Sequence, residues 1–121
     1  MSQHLLLGKK GEELACQYIT ELNYKILDIN WRFKKAEIDI IARDNRQIIF
    51  IEVKTRSGQA FGQPEDFVHI VKQKLMIQAA EEYIYFRNYQ GEIRFDIISI
   101  LFESSEKYTL RHIEDAFWHF E

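Results

Sequence analysis

The stretch AEIDIIARDNRQIIFIEVKTRSG, residues 36–58, decides the fold of this chain. Two apolar runs flank Asp44-Asn45-Arg46, which are typical turn residues, so the stretch predicts a β-hairpin. Side chains alternate between the two faces of a strand, which places Ile38 and Ile40 on one face and Asp39 on the other. A hairpin that only fills a protein core needs no such charge.

The second strand of the hairpin carries two further charges, Glu52 and Lys54, on one face. The turn sets a register in which Asp39 lies directly opposite Glu52. Cβ atoms of cross-strand neighbours are about 4.5–5.5 Å apart, so two bare carboxylates repel each other unless a cation lies between them. Oxygen ligands of this kind suit Mg²⁺ or Mn²⁺. The pattern therefore indicates a divalent-cation site on the hairpin.

The same charges also have a structural interpretation. Glu52 and Lys54 could form an exposed ion pair, with Asp39 paired to another lysine. Glu12 continues the predicted buried stripe of the first helix, but a glutamate at such a position is most often a solvated helix residue. Cys16 fits a buried small hydrophobe better than a nucleophile, and the histidines at 69, 112 and 119 show no ligand spacing.

The remaining sequence predicts alternating helices and strands. We expect helices over residues 5–22 and 68–86, strands over 24–33, 37–43, 47–55, 93–102 and 108–113, and a terminal turn of helix over 116–120. The predicted buried stripes are Ala15, Ile19 and Leu22 in the first helix and Val68, Val71, Leu75, Ala79 and Phe86 in the second. This order predicts one α/β domain, residues 1–121, whose mixed β-sheet is flanked by helices.

The composition limits the classes of protein to consider. With 46% hydrophobic and 29% charged residues the chain resembles an ordinary globular domain. The sole cysteine excludes an intrachain disulfide, and no apolar run has the length of a signal sequence or a membrane span, so we expect a cytoplasmic protein without membrane contact. A formal charge of −3 argues against a polyanion-coating role, although basic residues form local groups.

Several motifs together resemble a known family. GKKGEELACQYI, NWRFKKAEIDIIARD, IFIEVKTR and RFDII are similar to the YraN-like family of predicted endonucleases, within the restriction-endonuclease-like nuclease superfamily and similar to archaeal Holliday-junction resolvases. The resemblance implies a restriction-endonuclease-like mixed sheet and metal-dependent phosphodiester cleavage. It places the catalytic acids and lysine at Glu12, Asp39, Glu52 and Lys54. Ala36 departs from the pattern, where a glycine is expected.

The resemblance leads to a hypothesis for function. Asp39 and Glu52 would bind Mg²⁺ or Mn²⁺, with the backbone carbonyl of Val53 and the side chain of Glu12 as further ligands, while Lys54 orients water or stabilises developing charge. Candidate contacts to DNA phosphates are Arg32, Lys34, Lys35, Arg56, Lys72 and Gln73.

Two other classes of function fit the same sequence. One is a nucleic-acid-binding module that retains the fold without cutting. The other is an interaction protein that uses the aromatic tail AFWHF, residues 116–120. Symmetric incision of a two-fold junction would also require a homodimer, for which the tail offers an apolar surface.

Overall fold

The computed structural model describes residues 3–58 and 69–117. The elements are, in chain order, α1 (Gln3–Glu21), β1 (Lys25–Phe33), β2 (Ala36–Arg43), β3 (Gln47–Ser57), α2 (Ile70–Phe86), β4 (Glu92–Phe102) and β5 (Tyr108–Phe117). The strands form one sheet in the order β1-β2-β3-β4-β5, with β3 and β4 parallel and the other neighbours antiparallel. The predicted α/β fold with a mixed sheet and flanking helices is confirmed.

The β2–β3 hairpin has the register that its turn predicts. Ile40 pairs with Ile51, and Arg43 pairs with Ile48. The turn is held by Asp44, whose Oδ1 accepts hydrogen bonds from the backbone N–H groups of Arg46 at 2.8 Å and Gln47 at 2.9 Å. An aspartate that bonds to the backbone two residues ahead stabilises a tight turn, so this local contact sets the pairing of both strands.

The two helices pack on opposite faces of the sheet. Ala15 and Ile19 of α1 are fully buried against one face, while the buried residues of α2 on the other face are Met76, Ala79, Ala80 and Tyr83. The predicted stripes are wrong at three positions, because Leu22 is 42%, Val71 59% and Phe86 67% exposed. Residue 68 lies outside the described residues. Neither α1 nor α2 is long and apolar enough to cross a lipid bilayer.

The alternation of side chains breaks at Asp39. Ile38 packs with Met76 on the α2 face, whereas Ile40 packs with Ala15 on the α1 face, so the prediction that the two isoleucines share a face is wrong. On the neighbouring strand Asn30 has a left-handed backbone, with φ of 53°. Such a residue distorts a strand locally, and asparagine tolerates the conformation.

The C-terminal part of the described chain is a strand, not the predicted turn of helix. Ala116 and Phe117 end β5, which pairs antiparallel with β4. Phe117 is 5% exposed, and its ring is stacked on Phe95 with 5.2 Å between the ring centroids. Phe117 therefore belongs to the monomer core, and Trp118 and Phe120 lie outside the described residues.

Candidate active site

An open cleft of about 390 Å³ lies where α1, α2 and the β2–β3 hairpin meet. It is formed by the first half of α1, the start of α2 and the C-terminal half of β3. The side chains that carry charge around it are Glu12, Asp39, Glu52, Lys54, Arg56 and Lys72. We call this region the acidic cleft. It brings together all four residues that the sequence assigns to catalysis.

Asp39 lies within β2, just beyond the point where the regular ladder between β2 and β3 ends. The regular pairing of β2 with β3 ends at Ile40 and Ile51, and the next position in that register joins Asp39 to Glu52. At this position a side-chain hydrogen bond takes the place of a backbone bond between the strands. The Oδ2 atom of Asp39 accepts it from the backbone N–H of Val53 at 2.8 Å. The prediction that Asp39 and Glu52 line one cleft, with Lys54 beside them, agrees with this arrangement.

Glu52 is a buried carboxylate with one unsatisfied oxygen. Its side chain is 3% exposed, and Oε1 accepts a hydrogen bond from Nζ of Lys72 at 2.7 Å. Its other oxygen, Oε2, is buried and has no hydrogen-bond partner among the residues that the structure describes. An unpaired buried carboxylate oxygen is costly, and a cation is the partner that would satisfy it.

The donor set suits a cation that retains other ligands. Within residues 3–58 and 69–117 no group of three His, Cys, Asp or Glu side chains is assembled to hold an ion. Magnesium commonly binds through one or two carboxylates and completes its shell with water and substrate phosphate oxygens. The pair Asp39 and Glu52 fits that mode, in which the protein supplies only part of the coordination. The predicted role of the Val53 carbonyl stays a prediction, although Val53 does line the cleft.

Glu12 reaches the acidic cleft from α1. With its amide oriented to satisfy both neighbours, Asn30 donates hydrogen bonds to Oε1 of Glu12 at 2.8 Å and to Oε1 of Glu37 at 3.3 Å. Burial raises the pKa of Glu12, and the charges of Glu37 and Glu52 raise it further. Glu12 is thus held beside the other carboxylates by a neutral amide.

A glycine allows α1 to approach the hairpin. A Cβ atom at Gly11 would collide with Oγ1 of Thr55. Because a side chain there would force a shift of the helix or of Thr55, the glycine supports the close contact that places the next residue, Glu12, at the acidic cleft.

Lys54 is half-buried at the cleft. Burial lowers the pKa of its ammonium, and the nearby charge of Lys72 lowers it further, while Glu52 and Asp39 oppose the shift. Loss of water around an ammonium destabilises the charged form, which is the cause of the main effect. A partly desolvated lysine next to two carboxylates is well placed to interact with an anionic substrate group.

The pKa of Asp39 is raised to about 8, first by burial and then by the charge of Glu52. The hydrogen bond from Val53 opposes the shift but does not overcome it. In the metal-free fold Asp39 therefore retains its proton above its ordinary pKa of 3.8. The stabilising effect of that proton is complete below pH 3.8 and is lost as the pH rises through about 8.

This shift predicts that Asp39→Asn stabilises the metal-free protein at alkaline pH. The amide oxygen can still accept the hydrogen bond from Val53, but no charge is buried. In EDTA at pH 9 we expect the melting temperature to rise by about 3–6 °C, which corresponds to roughly 1 kcal/mol, and to change little at pH 4. Thermal unfolding across this pH range checks it, and equal effects at both pH values would contradict the shift.

Only some of the six predicted phosphate contacts lie near the acidic cleft. Arg56 and Lys72 line the acidic cleft, and Lys35 lies in an adjoining depression that also contains Asp39 and Lys72. Arg32 forms an ion pair with Glu37 at 2.7 Å, and Lys34 lies over the ring of Phe33. Gln73 is half-buried on α2. Three of the six candidates thus surround the region where a phosphate would bind.

Sequence reasoning missed two polar residues near the cleft, Asn30 and Glu37. Alternation predicts Glu37 on the same face as Asp39 but gives it no role, and Asn30 belongs to the preceding predicted strand. The position of Asn30 in an otherwise strand-like run, where asparagine is unfavourable, was the available signal. Glu37 follows the β1–β2 turn, contacts Asn30 and lines the depression that adjoins the acidic cleft.

A second buried polar cluster lies on the α1 face of β4 and β5. Asp96, which is fully buried, accepts two hydrogen bonds from the guanidinium of Arg94 at 2.7 and 2.8 Å. It also contacts Nε2 of His112 at 2.7 Å and the backbone N–H of Asp115 at 3.0 Å. His112 contacts the hydroxyl of Tyr18 of α1 at 3.1 Å through Nδ1. This cluster, the Asp96 network, joins α1 to the edge strand β5 and holds the side chain of His112 in a buried position.

Comparison with known proteins adds the family. The uncharacterised protein family UPF0102 matches residues 11–100. A UPF0102 protein of Flavobacterium psychrophilum is 46% identical over 120 residues, covering 99% of this chain and 100% of the relative. UPF0102 proteins of Bacteroides thetaiotaomicron and Rhodococcus opacus are 38% and 36% identical over 118 residues, covering 98% and 97% of this chain and 97% and 100% of the relatives. By full-length similarity to these relatives and by the family match, the chain belongs to the UPF0102 family.

Proposed function

We propose that this protein is a divalent-metal-dependent endonuclease that hydrolyses phosphodiester bonds in DNA. The observation that carries the proposal is the buried carboxylate of Glu52, which lines the same cleft as Asp39 and has one oxygen without a hydrogen-bond partner among the described residues. Glu52 is buried in an open cleft beside a second carboxylate, and Lys72 contacts one of its two oxygens. A purely structural role would leave the other oxygen without compensation, whereas a bound cation would satisfy it.

The residues of the cleft can be given distinct roles. Asp39 and Glu52 would hold Mg²⁺ or Mn²⁺, with Glu12 contributing directly or through water. The chemistry that this ion supplies when bound is polarisation of the phosphate and acidification of a water. Lys54 stabilises the negative charge that develops on the phosphate, or orients the attacking water.

DNA is the substrate that the surrounding charges favour. Arg56, Lys72 and Lys35 place positive charge next to the cleft, where a phosphate backbone would need it. The resemblance to restriction-endonuclease-like nucleases and junction resolvases points to branched or junction DNA in repair or recombination. A homodimer would supply the paired sites that symmetric incision of a junction requires.

The proposal is tested by a cleavage assay on labelled four-way junctions, flaps and linear duplexes. We expect incision in Mg²⁺ or Mn²⁺ and none in EDTA, because the ion that would polarise the phosphate and acidify a water is then absent. Lys54→Met should reduce the rate by about a hundredfold to a thousandfold, the usual effect of removing one group that stabilises developing charge.

The same assay separates the enzyme from a binding module. DNA binding by the wild-type protein without cleavage in any divalent ion would overturn the nuclease and favour a non-catalytic nucleic-acid-binding module. A protein that neither binds nor cuts DNA would overturn both.

A further inference from the structure

Lys72 and Glu52 form an ion pair in which one side chain can move and the other cannot. The Glu52 side chain is 3% exposed and belongs to a central strand, so it cannot move away. The Lys72 side chain is 44% exposed and extends from the first turn of α2. The carboxylate is thus the fixed member of the pair, and the ammonium is the member that can leave.

The ammonium satisfies the acidic cleft only in part. It contacts Oε1 of Glu52 at 2.7 Å, while Oε2 of the same carboxylate has no hydrogen-bond partner within residues 3–58 and 69–117. Asp39 lines the same cleft. The ammonium of Lys72 therefore occupies a place where a divalent ion would bind more oxygen atoms than the ammonium does.

The lysine and a divalent cation exclude each other at Glu52. An ammonium and a divalent cation on the same carboxylate would both be positive and only a few ångströms apart, so they repel each other. Lys72 also lines the adjoining depression, together with Lys35 and His69, so its ammonium has a nearby position outside the contact with Glu52.

We propose that Lys72 is a displaceable counterion. It neutralises Glu52 in the metal-free protein, leaves when a divalent cation binds, and is then available to a phosphate of the substrate. The inference rests on the proposed function, and it adds that metal binding and DNA binding are coupled through this one ammonium. Coupling of two ligands is reciprocal, so DNA should also strengthen metal binding.

The first test compares Lys72→Met with Lys74→Met, a change of the same kind at an exposed position of the same helix. Mn²⁺ binding to each DNA-free protein is measured by calorimetry. We expect Lys72→Met to bind Mn²⁺ about three- to tenfold more tightly than the wild type, because its competitor is gone, and Lys74→Met to match the wild type. In Ca²⁺, which tests binding without relying on cleavage, Lys72→Met should bind duplex DNA more weakly.

The second test observes the ammonium itself in the wild-type protein. The ¹⁵Nζ signal of Lys72 is followed by NMR during Mg²⁺ titration without DNA. We expect the signal of the ion-paired Lys72 ammonium to disappear as Mg²⁺ replaces Lys72 at Glu52. The signal of Lys74 should stay unchanged. This measurement still decides the question if Lys72→Met does not fold.

The outcomes distinguish the two proposals. Metal binding that is no tighter in Lys72→Met, or a Lys72 signal that Mg²⁺ does not move, would overturn the displaceable counterion and leave the metal site intact. Absence of Mn²⁺ and Mg²⁺ binding in the wild type and in Lys72→Met would overturn the proposed function and this inference together.

Discussion

Replacing Glu52 with glutamine is expected to abolish DNA cleavage while DNA binding is retained or becomes tighter. The substitution preserves shape but removes the buried charge of one of the two carboxylates that would hold the cation. We expect the rate of cleavage to fall by at least about a hundredfold to a thousandfold, the range found when a single group that stabilises the transition state is lost. Binding should not suffer, because one negative charge facing the phosphate is removed.

Both quantities are measured on the same labelled junction, cleavage in Mg²⁺ and binding by fluorescence anisotropy in Ca²⁺. Glu21→Gln is the matched control, since it makes the same change of charge at an exposed position at the end of α1. Cleavage that persists at the wild-type rate in Glu52→Gln would overturn the assignment of the metal site to the acidic cleft.

Replacing Arg94 with methionine is expected to lower the free energy of unfolding strongly. Asp96 is fully buried, and Arg94 supplies two of its hydrogen bonds as well as the neutralising charge. Removal of one partner from a buried ion pair costs about 3–5 kcal/mol, because the remaining charge has no compensation. We expect the melting temperature to fall by at least about 10 °C.

Thermal and urea unfolding measure this effect, with Arg46→Met in the exposed β2–β3 turn as the control. A surface substitution of that kind should change the free energy of unfolding by less than about 0.5 kcal/mol. If Arg94→Met unfolds like Arg46→Met, the Asp96 network has no part in stability.

The loss of stability in Arg94→Met should also depend on pH. Burial alone would raise the pKa of Asp96, but hydrogen bonds from His112, Arg94 and the Asp115 backbone outweigh it and lower the pKa below 3.8. A lowered carboxyl pKa stabilises the fold above pH 3.8, and that stabilisation is lost as the pH falls through the lower folded value. The difference between the wild type and Arg94→Met should therefore narrow in strong acid.

The sequence by itself determined the hairpin and the pairing at its centre. The turn at Asp44 and the alternation of apolar residues in β3 are local features, and together they place Asp39, Glu52 and Lys54 at one cleft. Burial of β3 on both faces follows from the same pattern, since both of its faces are apolar where the strand begins.

Only the tertiary structure decided which side chains surround that hairpin. The Lys72 contact with Glu52 spans 20 positions and the His112 contact with Asp96 spans 16, and neither has a local signal in the sequence. A helical stripe predicts an inward face but not the partner that the face meets. Long-range packing decides that partner.

The errors in the predicted elements have the same cause. Ala116 and Phe117 continue a strand because β4 offers a backbone to pair with and Phe95 a ring to stack on. Ile38 and Ile40 lie on different faces because the sheet is distorted beside Asn30, where the backbone is left-handed. Local periodicity specifies regular segments, whereas the distortions that form the acidic cleft depend on neighbouring strands and helices that only the assembled fold brings into contact.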